Sequence, residues 1–148
     1  MSDYITKFFW ALGLIFAVWE HYSWTTKKNQ LLLQQPELAD SYDRVMWGHT
    51  IFYSLPWLVM GIGILSGRVD NVFDFLRPRS GNAFVLAFYF IIVVSTLPLA
   101  VWVWAFGGAS YLSPYMKKSP AYIKLQLALA TAFMIFFMGI AFMRPVTI

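Results

Sequence analysis

The chain has 148 residues, of which 59% are hydrophobic, 20% aromatic and only 12% charged, against roughly 25% charged in an average soluble domain. A single core of that length cannot hide so much apolar surface, which excludes an ordinary soluble globule and points to a multi-pass integral membrane protein. The net charge of +4 lies in the connections between apolar blocks, where it suits lipid phosphates and leaves no basic stripe to track a nucleic acid.

Four apolar blocks predict an all-α, single-domain protein of four transmembrane helices in a bundle, with spans at about 5–24, 45–65, 83–106 and 125–143. The first block is the weakest. Its uninterrupted apolar part, Phe8 to Trp19, would cover about 18 Å of a hydrocarbon core about 30 Å thick. Glu20 and His21 must therefore stay near the boundary or turn toward neighbouring helices. Only Lys7 precedes this run as a basic residue, and no small-x-small cleavage pattern follows Val18, so the segment reads as a retained helix. Thr25 to Gln35 reads as a polar connection carrying Lys27 and Lys28.

The second span has the clearest start, with Pro36 suited to a first helical turn and Asp40 placed to pair with Arg44 at i,i+4. Gly67 is the expected stop, and Asp70 the expected cap of a short turn, NVFDFL, ahead of RPRSGN at 77–82. The third span closes at Gly107 and Gly108. The fourth is entered through Ser119 and Pro120 and closed by Arg144 and Pro145. Pro56 and Pro98 fall inside spans two and three, and each removes a backbone donor, so both helices are expected to bend. Four spans set Lys7, Arg68, Arg77, Arg79 and Arg144 on one side and Lys27, Lys28, Arg44, Lys117, Lys118 and Lys124 on the other, a balance that imposes no orientation.

The deep parts of spans two, three and four carry no ionisable group. Their polar residues are Ser54, Ser95, Thr96 and Thr131, which disfavours ion-driven transport. With no cysteine in the chain, thiolate metal sites and cysteine nucleophiles are excluded. Chemistry then falls on two histidines. His21 ends span one and His49 opens span two, on the same side and at similar depth. Gly13, Ala17 and His21 follow at i, i+4 and i+8, leaving a groove that could receive a neighbouring helix or a flat macrocycle. Two imidazoles on different helices are what haem b requires, with Lys27, Lys28 and Arg44 available for its propionates. Glu20, His21, Asp43 and His49 form an alternative metal set, although no Glu-x-x-His spacing supports it. The plainer expectation makes both histidines interfacial residues in a belt with Trp19, Trp24 and Trp47.

Arg77 and Arg79 around Pro78 read as an anchor to lipid phosphates or a docking point for a partner, and Trp24 and Trp47 as further interfacial contacts. Gly63 with Gly67, and Ala128 with Ala132, form small-xxx-small pairs that favour close helix packing. Together these features predict a small membrane subunit that binds lipids, pigments or other integral membrane chains, its own copies included. The alternatives are a b-type cytochrome or metal-binding redox subunit using His21 and His49, and an oligomeric pore or carrier for neutral molecules.

Overall fold

A computed structural model describes residues 2–143, and every regular element among them is helical. Five helices carry the fold: α1 (Ser2–Gln34), α2 (Ala39–Leu65), α3 (Ala83–Ala105), the short α4 (Gly108–Met116) and α5 (Pro120–Met143). The segment Pro36–Leu65, α3 and α5 are each long and apolar enough to cross a membrane. α1 is longer still, but Lys7 at one end and Glu20 and His21 at the other interrupt its apolar run.

The expected connection at 25–35 is instead the last three turns of α1. Its residues include no glycine or proline, and Leu31 packs into a buried cluster with Tyr42, Met46 and Tyr115. The helix stops where Pro36 forces the preceding Gln35 out of the helical region, at φ −141° and ψ 74°. A 3-10 turn at Pro36–Leu38 then leads straight into α2.

This tight reversal makes α1 and α2 antiparallel over most of their length. As residue numbers rise on α1 they fall in step on α2, from Trp10 against Gly61 through His21 against Thr50 to Lys28 against Asp43. The last pair is an ion pair of 2.7 Å. It takes the place of the expected Asp40–Arg44 pair, which is absent among the described residues.

At its far end α2 finishes in a Schellman motif. Gly67 adopts φ +69°, its amide donates to the Ile64 carbonyl, and the Arg68 amide donates to Gly63. The turn that follows is capped by Asn71 and not by Asp70. The Asn71 side chain accepts from the Phe73 amide, while the Asp74 carboxylate accepts from the Asn71 amide. Asn82 caps α3 through the Phe84 amide and also donates to the Arg68 carbonyl at 2.7 Å, tying the start of α3 to the end of α2.

Between the expected close of span three at Gly107 and Gly108 and the expected entry to span four at Ser119, the chain forms a further helix, α4. Gly107, at φ +76°, turns the chain, and Ala109 and Tyr115 are buried on α4's inner side. Ser119 caps α5, its hydroxyl accepting from the Tyr122 amide, and Pro120 opens the first turn as expected, with the apolar span from Leu125 inside the same helix. The Arg144–Pro145 stop lies outside the described residues.

The main contacts between long helices follow chain order, α1 on α2, α2 on α3 and α3 on α5. Buried clusters gather at the ends of the helices. Met60, Ile64, Phe75, Val85, Tyr89 and Ala141 meet at one end, and the Leu31–Tyr42 and Val103–Ile123 groups meet at the other. Between these ends α5 has no fully buried residue and many exposed ones.

Candidate functional site

The two histidines sit on the α1–α2 hairpin but face different surroundings. His21 lies in the seam, its ring 4.4 Å from that of Trp47 and its Nδ1 2.9 Å from the Thr50 hydroxyl. Thr50 spends its own hydrogen on the Met46 carbonyl at 2.9 Å. With that hydrogen on the carbonyl, the Thr50 oxygen is free to accept from an Nδ1–H of the imidazole.

His49 is held between two rings instead, Trp24 at 5.4 Å and Tyr53 at 6.2 Å, both stacked. Among the described residues no group hydrogen-bonds to its ring nitrogens. Its edge lines a cavity of about 420 Å³ that His21 does not reach. α2 contributes Gly48, His49 and Phe52, α3 contributes Ser95, Thr96 and Leu99, and α5 contributes Leu127 and Ala130. Trp24 of α1 and Met116 of α4 close one end.

A second cavity, of about 300 Å³, adjoins the first, with Trp24 and Met116 in both walls. Its lining is mixed, with Lys27, Lys117, Lys118 and Glu20 set among Trp24, Leu31 and Tyr42. Tyr111 stands nearby on α4. The neighbouring Tyr115 hydroxyl, and to a lesser degree burial, hold its phenol above the ordinary tyrosine range, so it stays a neutral hydrogen-bonding group.

Other expected site residues separate. Asp43 is engaged by Lys28, and among the described residues no three His, Asp or Glu side chains come together around a common point, so Glu20, His21, Asp43 and His49 do not assemble into a metal cage. Trp47 is exposed and fits the interfacial role, whereas Trp24 is half-buried in the wall shared by the two cavities. Arg77 lies 3.9 Å from Asp74 and stays exposed. Arg79 is exposed too, while Pro78 between them is buried.

Of the small residues, Gly63 does bring helices together. A Cβ there would meet Phe84 of α3 at 3.1 Å and Val69 at 3.2 Å. Gly67 serves the turn and has open space around it, and Ala132 is exposed while Ala128 is half-buried. The groove of Gly13, Ala17 and His21 is filled by the neighbouring helix, since the indole of Trp57 occupies the space over Gly13. A flat macrocycle has no room there.

The site can thus hold an apolar body beside His49 and offer positive charge at its end. No protein family, no curated protein and no solved structure matches this chain, so the site is read from its own geometry alone.

Proposed function

We propose that this chain is a multi-pass integral membrane protein in which α1, α2, α3 and α5 all cross, and that it works as a binding subunit of a larger membrane assembly. The observation that carries this reading is the outer side of α5. Leu125, Leu129, Phe133 and Phe136 recur at helical spacing and are each more than half exposed. Such a ridge is unstable against water and is covered by lipid or by other membrane chains.

The α1–α2 register supports a fourth crossing. The apolar run Phe8–Trp19 lies beside the apolar middle of α2, which places Glu20 and His21 level with the start of that span. Lys27, Lys28 and Arg44 then project from the hairpin end, and Arg77 and Arg79 from the opposite end, both suited to headgroup phosphates.

Two measurements test the proposal. Single cysteines at Asn29, Ser80 and Ser110 should label with an impermeant thiol reagent so that positions 29 and 110 report one side and position 80 the other. Extraction from native membranes in a mild detergent should give a particle heavier than one chain. Labelling of positions 29 and 80 from the same side would overturn the four crossings, and a monomer under mild extraction would overturn the assembly role.

A further inference from the structure

The two adjoining cavities form one amphipathic site, and we propose that it binds a long-chain carboxylate, with the head among Lys27, Lys117 and Lys118 and the tail in the apolar cavity beside Gly48 and His49. This rests on the membrane reading only for the route of entry.

Charge complementarity is the first argument. Lys27, Lys117 and Lys118 line the second cavity, and Glu20 is the one acidic residue in its wall. Among the described residues no acidic side chain pairs with any of the three lysines. Lys118 donates to the neutral Gln126 amide oxygen at 3.1 Å and lies 5.0 Å from the centre of the Tyr122 ring. A net positive cluster at the end of an apolar cavity attracts an anion that carries its own apolar body.

The second argument is the backbone at Lys117. It holds φ +51°, and no other non-glycine residue among those described has a positive φ. That conformation is unfavourable for a residue bearing a Cβ. Glycine is the ordinary occupant of such a helix end. The chain instead places there a lysine that lines the second cavity.

The third argument is space. A Cβ added at Gly48 would meet nothing within 4 Å, so the apolar cavity continues up to the backbone of α2. At about 420 Å³ it lies toward the small end of ligand sites. That suits one acyl chain and not the two of a phospholipid. Met116, flexible and present in both walls, is the side chain that must move to let a chain pass from head to tail.

The probe is 9,10-dibromostearate, whose bromines quench the tryptophans in the cavity wall, added to the full chain in neutral detergent, with its methyl ester as the uncharged control. Lys117→Gly removes the ammonium and relieves the backbone, and Gly48→Phe fills the cavity from a position with room for a side chain. Both variants should therefore fold at least as well as the parent.

The expected result is saturable quenching by the acid, about tenfold weaker for the ester, as loss of one charge-assisted contact implies. Lys117→Gly should weaken the acid about tenfold and leave the ester unchanged, and Gly48→Phe should abolish saturable quenching by both. Equal binding of acid and ester, an unaffected Lys117→Gly variant, saturable quenching that survives in Gly48→Phe, or no saturable quenching in the parent would each overturn the proposal. None of these results bears on the number of crossings, which cysteine labelling reads separately.

Discussion

The indole of Trp57 on α2 lies directly over Gly13 on α1, so closely that a Cβ at position 13 would overlap the ring. The relationship is reciprocal, since Trp10 on α1 lies over Gly61 on α2, where a Cβ would come within 2.6 Å of the indole. Two large residues thus fit into two absent side chains, and the pair fixes both the spacing and the register of the hairpin.

Gly13→Leu and Gly61→Leu should each destabilise the protein by about 1–3 kcal/mol, because the added volume must push an indole out of a filled seam. Thermal melting in detergent measures this. Combining Gly13→Leu with Trp57→Ala should recover part of the loss, and a double variant as unstable as the sum of its parts would show that the two residues do not share a site.

On the α2–α3 seam, Gly63→Leu should lower the melting temperature, since Phe84 and Val69 already stand close to where its Cβ would be. Ala132→Leu should leave the melting temperature of an isolated chain unchanged, because Ala132 is exposed. A change in particle size under mild extraction for Ala132→Leu alone would locate a chain-to-chain contact on that side of α5.

For the histidines, the hydrogen bond to Thr50 predicts a cost of about 1 kcal/mol for His21→Phe and a smaller one for His21→Gln, which can still donate to the hydroxyl. His49→Gln should melt close to the parent, since its ring nitrogens have no partner to lose. The purified protein should show no reducible visible band. A band that disappears in both Gln variants would establish the redox alternative in place of the binding reading.

At the hairpin tip, Asp43→Asn should cost less than about 1 kcal/mol, since both partners of the Lys28 ion pair are partly exposed. The difference from the parent should shrink further in high salt. A larger, salt-independent loss would mean that the pair is covered by a partner chain in the assembly.

Local signals located most of the helix boundaries. Pro36, Gly67, Gly107 and the Ser119–Pro120 pair each act on the few residues beside them, so their effect is written in the sequence. What was hidden depends on distant packing. Thr25 to Gln34 is polar enough to resemble a loop, and it is Leu31 meeting Tyr42 and Tyr115 that keeps it helical. α4 is short, opens on two glycines and contains Pro114, so only the burial of Ala109 and Tyr115 identifies it.

The site divides the same way. His49 stood out as an ionisable residue at an apolar boundary, and the groove at Gly13 was visible as spacing, but the tryptophan that fills that groove is set by register. The apolar cavity is assembled from all five helices, and the charge of the cavity beside it depends on Lys27 and Lys117 lining one space across 90 positions of chain. No window of the sequence contains that juxtaposition.

The tight reversal between α1 and α2 also sets an order of events during synthesis. Every contact of the Trp10–Gly61 and Trp57–Gly13 lock is complete once the chain has passed residue 61, well before α3 has been made. A nascent chain can therefore settle its first hairpin as a unit, because contacts close in sequence form early and domains made first fold first. α5, held chiefly near its two ends, is made after that hairpin and is the least buried of the three long apolar helices. A failure at Gly13 or Gly61 would accordingly show itself at the ribosome as a hairpin that does not close, whereas a failure on α5 would pass insertion and surface only when the finished chain meets its neighbours.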